Sequence, residues 1–130
     1  MHKCCSYYSD LSITTRHNSE NVGTKLEYDH NGKILTKTPC AREHGTTVAL
    51  HNLFATLPVR HKEFLRNLKK EYCKLLQVLH AYCIISSGVR ISCSNQLEKG
   101  RRSLLVATNG SLNLKENISC VFGPKQVCFR

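Results

Sequence analysis

Apolar residues change their spacing twice along the chain, and the changes mark out its elements. Over residues 22–29, Leu26 and Tyr28 alternate with Lys25, Glu27 and Asp29, the period of a strand with one wet face. His30-Asn31-Gly32 supplies a turn, residues 33–38 return as the second arm of a hairpin, and Pro39 is expected to end it. The β-branched run Gly45-Thr-Thr-Val-Ala-Leu50 predicts a third strand, with residues 13–15 a shorter candidate upstream. The period then lengthens. Phe64, Leu68, Tyr72, Leu75, Leu79 and Tyr82 recur at helical spacing and predict one long helix over about residues 62–86, bounded by Pro58 and Gly88. After it, Val89, Ile91 and Cys93 alternate with Arg90 and Ser92, residues 96–102 form a basic turn, and residues 104–107 return as a second hairpin. Residues 112–122 predict a short C-terminal helix closed by Gly123 and Pro124.

Composition narrows what such a chain can be. With 130 residues it is one domain at most, and 41% hydrophobic against 22% charged residues is ordinary globular usage. The longest uncharged run, Leu75 to Val89, is too short and too interrupted by Gln77 and His80 to span a bilayer. A formal charge of +10 attracts polyanions, whether nucleic acid, nucleotide phosphates or acidic lipid. Eight cysteines raise the possibility of a secreted, disulfide-stapled domain. The N-terminal residues show no apolar signal region and the cysteines no framework spacing, so reduced thiols in the cytosol or nucleus are expected. On that expectation the sequons at Asn109 and Asn117 are chance matches.

Several residue groups are candidates for chemistry. Gly45 lets backbone approach a ligand, and the hydroxyls of Thr46 and Thr47 can bond a base or a water, although any buried strand uses the same residues. Arg60, Lys62, Arg66, Lys69, Lys70 and Lys74, set against Glu63 and Glu71, make a basic stretch suited to phosphates; a solvated outer face accounts for it equally. Lys99, Arg101 and Arg102 form a second basic cluster at a hairpin tip, where solubility is also a sufficient reason. Glu63 and Asn67 have the Glu-x-x-x-Asn spacing of an ATPase helix, but Leu68-Lys-Lys follows where small, acid-bearing residues are needed, so Glu63 is read as surface charge. Cys40 with His44, or Cys73, His80 and Cys83, could ligate a metal, yet no complete four-ligand set assembles and no metal site is assigned.

The ordered run Gly23-Thr-Lys-Leu-Glu-Tyr-Asp-His-Asn-Gly-Lys-Ile34, Lys37-Thr-Pro39, Gly45-Thr-Thr-Val48, Leu53-Phe-Ala-Thr-Leu-Pro-Val-Arg-His-Lys-Glu-Phe64, Lys69-Lys-Glu-Tyr72 and Gln77-Val-Leu-His-Ala-Tyr-Cys-Ile-Ile-Ser86 closely resembles the MutL-homologue mismatch repair proteins. The postmeiotic-segregation-increased (PMS) type is nearest. Lys115-Glu-Asn-Ile118 and Val121-Phe-Gly123 extend the resemblance, which covers roughly Ser9 to Gln126.

The resemblance implies the α+β fold of the GHKL ATPase superfamily, a two-layer sandwich of helices on a mixed or antiparallel sheet, here incomplete and with about five strands. Residues 1–126 would be the latter part of that domain and residues 127–130 a tail that does not match. The family binds ATP and magnesium through a Glu-x-x-x-Asn helix, an Asp-x-Gly-x-Gly turn, a glycine-rich lid and a Gly-Thr strand. Only the last is matched, as Gly45-Thr46, so Gly45, Thr46 and less directly Thr47 are carried to the adenine end of the pocket. Without base, metal ligand or lid, ATP hydrolysis is expected to be lost and no cofactor retained. The resemblance also implies weak, sequence-independent DNA binding by the basic residues, a MutL-homologue partner whose dimerisation region has no counterpart in this sequence, and a nuclear location. The alternative reading is a non-enzymatic regulatory or decoy fragment that meets full-length MutL homologues.

Overall fold

Strand β1 (Asp10–Arg16) is one of the two inner strands of the first sheet, with a partner on each side. The computed structural model describes residues 2–97 and 99–123, with side chains from residue 5 onward. β1 pairs antiparallel with β2 (Gly23–Tyr28) and β4 (Gly45–His51), and β2 with β3 (Ile34–Cys40), giving four strands in the order β3-β2-β1-β4. This sheet, helix α1 (His2–Tyr8) and helix α2 (Pro58–Arg66) belong to one compact unit, Met1–Asn67. Helix α3 (Leu68–Ile85), strands β5 (Ser92–Asn95) and β6 (Ser103–Ala107), and helix α4 (Leu114–Phe122) belong to a second, Leu68–Arg130. The fold class is α+β as expected, but the second hairpin forms its own two-stranded sheet because β5 and β6 pair only with each other.

Register sorts the first sheet into two faces. Ile13 lies between Leu26 and Val48, Leu11 opposite Leu50, and Thr15 between Thr24 and Thr46, so these side chains share the apolar face. The other face carries Ser12, Glu27 and Ala49, then Thr14, Lys25 and Thr47. There Lys25 Nζ meets Glu27 Oε1 at 2.8 Å and Thr36 Oγ1 donates to Glu27 Oε2 at 2.9 Å. Those bonds hold the exposed Glu27 carboxyl below its ordinary range. The β2–β3 turn is closed by Asp29 Oδ1, which accepts from the N–H groups of Asn31 and Lys33.

Three expectations change. β3 does not stop at Pro39 but runs on to Cys40, with Pro39 opposite Thr24. β3 is an edge, where a proline whose nitrogen faces away from the neighbour breaks no ladder bond. The long helix is two helices: α2 starts at Pro58 and ends where Asn67, at φ −100° and ψ 12°, leaves helical geometry, and α3 starts at Leu68. The apolar stripe is displaced as well. Leu75 and Tyr82 are each 58% exposed, while Tyr72, Leu76, Leu79 and Cys83 face inward at spacings of 4, 3 and 4. Leu76 was not in the predicted stripe, and it replaces Leu75 because it lies nearer the mean direction of Tyr72, Leu79 and Cys83.

In the second unit α3 packs against α4. Cys83 is fully buried, and desolvation pushes its thiol pKa up. Asn117, also fully buried, donates from Nδ2 to the carbonyls of Ile84 and Ser111 at 3.3 and 3.4 Å. His80 on α3 meets Phe122 on α4 edge-to-face, with ring centroids 5.8 Å apart. Helix α4 is N-capped by Asn113, whose side chain accepts from Lys115 N–H, and its C-cap is Gly123; the predicted stop at Pro124 and the proposed tail boundary lie outside the described residues. Among the described residues no helix is long and apolar enough to cross a membrane.

Candidate functional site

The Gly45-Thr46 strand start is built by three neighbouring segments. Gly45 has φ +126°, a backbone value that side-chain-bearing residues rarely adopt, and it pairs with Arg16 as the first rung of β1–β4. One rung on, Thr46 lies opposite Thr15, and their hydroxyl oxygens are 2.8 Å apart. Thr15 Oγ1 is also 3.4 Å from the Gly45 carbonyl. Arg42, in the β3–β4 connection, fixes this corner: Nη1 donates to the Thr14 carbonyl and Nε to the Glu43 carbonyl at 3.1 Å. Its aliphatic stem occupies the space where Gly23 has no Cβ; a methyl there would stand 2.6 Å from Arg42 Cγ. Thr46 is therefore brought together with Gly45 and Thr15, whereas Thr47 pairs with Thr14 on the opposite face.

This corner offers two hydroxyls, a carbonyl and a guanidinium already bonded to two backbone oxygens. Among the described residues no three His, Cys, Asp or Glu side chains gather as metal ligands. Such a set can hydrogen-bond a base edge, but it does not fit a magnesium triphosphate, which needs carboxylate or phosphate-cradling groups.

The basic candidates divide by what each one touches. Arg60 stacks its guanidinium over the Tyr8 ring at 5.4 Å, which ties α2 to α1. Lys62 and Arg66, with Val59, Glu63 and Asn67, line an open cavity of about 430 Å³ on α2. Glu63 is exposed there and Asn67 terminates the helix, so the Glu-x-x-x-Asn pair spans the last turn of α2. On α3, Lys69 and Lys70 are exposed, while Lys74 Nζ is 2.8 Å from Glu71 Oε1. At the β5–β6 turn Lys99 and Arg101 are exposed, and Arg102 Nε donates to Ser94 Oγ at 2.7 Å. Of the basic candidates, Lys62, Arg66, Lys69, Lys70, Lys99 and Arg101 are thus exposed without a contact, among the described residues, of the kind that holds Arg60, Lys74 and Arg102.

The loop before α2 is held tightly. Asn52 and Phe54 both have positive φ, 52° and 62°. Asn52 Nδ2 donates to Asp10 Oδ2 at 2.7 Å, and Phe54 N–H to the Tyr8 carbonyl at 2.6 Å. The Phe54 ring stands 5.7 Å from Tyr8 and 5.5 Å from Phe64. The loop that carries part of the resemblance is thus fixed to β1, α1 and α2.

Comparison with known proteins decides the family. No family model matches the chain. The human mismatch repair endonuclease PMS2 is 62% identical over 119 residues, 92% of this chain and 14% of that protein. The chain is a PMS-type MutL homologue. In structure, this PMS-type chain superposes at a TM-score of 0.86 and 38% identity on the N-terminal domain of a DNA repair protein, covering 92% of this chain and 35% of that one. The Aquifex aeolicus MutL ATPase domain, solved in complex with ADP, gives a TM-score of 0.75 at 28% identity, with 92% and 46% covered. The chain thus corresponds to part of a MutL ATPase domain and spans about one seventh of the length of its human relative.

Within this PMS-type corner, sequence reasoning missed Thr15 and Arg42. Thr15 was legible in principle, as the next residue on the Leu11-Ile13 face of β1. Arg42 was not, because nothing local signals that a loop arginine reaches the Thr14 carbonyl across 28 positions.

Proposed function

We propose that this chain is a part of a MutL/PMS-type mismatch repair protein that by itself does not hydrolyse ATP, and that it carries one corner of the nucleotide pocket and basic residues that bind DNA without sequence preference. The observation that carries the reading is 62% identity to a mismatch repair endonuclease across nearly the whole sequence. That corner is Gly45-Thr46 with Thr15, and its hydroxyls would hydrogen-bond a nucleobase. Two separate basic groups would each meet backbone phosphates, Lys62 and Arg66 in the first unit, and Lys69, Lys70, Lys99 and Arg101 in the second. In this reading the chain works in the nucleus, and the MutL-homologue partner is one of the parent family.

By itself the chain does not hydrolyse ATP in this reading, because no residue of the corner can orient the attacking water or neutralise the developing phosphate charge. Purified chain with magnesium and ATP should release phosphate no faster than buffer. Its binding to duplex DNA should weaken about tenfold or more between roughly 50 and 200 mM salt. Phosphate release above background would sink the first half of the proposal, and salt-independent binding, or none at low salt, would sink the second.

A further inference from the structure

The hydroxyl contacts at the Gly45-Thr46 corner have a direction. Thr15 Oγ1 lies 2.8 Å from Thr46 Oγ1 and 3.4 Å from the Gly45 carbonyl, and the Thr15 hydroxyl has one proton to give. Given to Thr46, that proton leaves the Gly45 carbonyl without Thr15, and the Thr46 proton then has no acceptor among the described residues. Given to Gly45, it lets Thr15 Oγ1 accept from Thr46, and both contacts become hydrogen bonds. The second arrangement makes one bond more, a long and weak one, and a hydroxyl that donates is also the better acceptor. The corner is then a relay from Thr46 O–H to Thr15 Oγ1 and from Thr15 O–H to the Gly45 carbonyl. Its frame is held on both strands: Arg42 Nη1 donates to the neighbouring Thr14 carbonyl, and Thr15 and Arg16 pair with Thr46 and Gly45 in the β1–β4 ladder. Every group of the relay belongs to β1 or β4, so it is complete within this chain.

On the reading of this corner as part of a nucleotide pocket, we propose that Thr15 is a positioning residue: it takes the Thr46 proton, so that Thr46 Oγ1 meets the base as an acceptor and selects an amino group over a ring nitrogen or a carbonyl oxygen. In a nucleoside, adenine offers one such donor, the amino group on C6. A base that presents only acceptors must reverse the relay, with Thr15 donating to Thr46 and Thr46 to the base, and the bond to the Gly45 carbonyl is lost. Because that bond is the longer of the two, the preference is modest, about threefold. Thr15 does not touch the base in this scheme. It acts through the hydroxyl of Thr46.

Titration of the full chain with adenosine, and with purine riboside, which is the same nucleoside without its amino group, tests the relay through the methyl NMR signals of Thr46. Neutral nucleosides keep phosphate out of the readout, since a chain of net charge +10 attracts it over the whole surface. Wild type should favour adenosine about threefold. Thr15→Val keeps the shape and the strand preference but has no hydroxyl, so it should bind the two nucleosides about equally, and Thr15→Ser should restore the preference. A packing role for Thr15 predicts the reverse, with Val adequate and Ser deficient. Far-UV circular dichroism checks that each variant folds, and Thr15→Ala repeats the test should Thr15→Val misfold. Thr46 signals that do not respond to adenosine up to its solubility limit would overturn the pocket reading and this proposal with it. Adenosine bound at Thr46 without preference over purine riboside, a preference that survives in Thr15→Val, or one that Thr15→Ser does not restore would overturn this proposal alone.

Discussion

Gly23 is where one added methyl group would be felt most sharply. Its Cβ would stand 2.6 Å from Arg42 Cγ and 3.1 Å from the Cys40 carbonyl, and Arg42 cannot swing aside without giving up its bond to the Thr14 carbonyl. Gly23→Ala should therefore cost about 1–3 kcal/mol, the usual penalty for overpacking, seen as a lower urea midpoint. Adding Arg42→Ala should recover part of that loss, and strictly additive effects in the double-mutant cycle would contradict the contact. At this scale the sequence was only partly informative. Gly45 and Thr46 stood out because glycine beside β-branched hydroxyl residues is a local pattern. The partners that make them a corner, Thr15 and Arg42, are about 30 residues away or reach across 28 positions, and no spacing rule connects them.

Elements were legible where a turn or cap is encoded locally. Asn31-Gly32 announced the first hairpin, and its registers place Leu26 and Ile13 on one face as alternation requires. Asn113 caps α4 through the Lys115 N–H at 3.0 Å, so Asn113→Ala should cost about 1 kcal/mol, measured as a lowered thermal midpoint of the chain. A Ser at the same position should restore most of the loss, since its hydroxyl can accept the same N–H. Breaks without a local code were missed. Asn67 is tolerated inside helices, so nothing in the sequence separates α2 from α3, and the apolar stripe drawn through both elements consequently included Leu75 and Tyr82. Pro39 was misjudged for the converse reason: its effect depends on whether its strand is central or an edge, which only the pairing reveals.

For the whole chain, the described residues bury few large apolar side chains. Leu11, Cys83 and Val106 make up the buried hydrophobic set, while Leu35, Val48 and Leu50 in the first unit and Leu75, Tyr82 and Ile85 in the second are exposed. Such surface should bind a hydrophobic dye under native conditions. It should also give a heat capacity of unfolding below the roughly 1.6 kcal/mol/K usual for a folded chain of this length. A native chain that leaves the dye dark and melts with the full heat capacity would show that these side chains are covered. Net charge was evident from composition, but which charges are free was not: Arg60 is spent on Tyr8, and Lys74 on Glu71. The ion pairs among the described residues, Lys25 with Glu27 and Lys74 with Glu71, each join near neighbours within one element. Neither ties one element to another, so the positive excess is balanced by dissolved anions rather than by the fold. Those anions crowd the chain and relieve its self-repulsion, and the buffer that competes a polyanion off the surface is the same buffer that helps the chain stay folded.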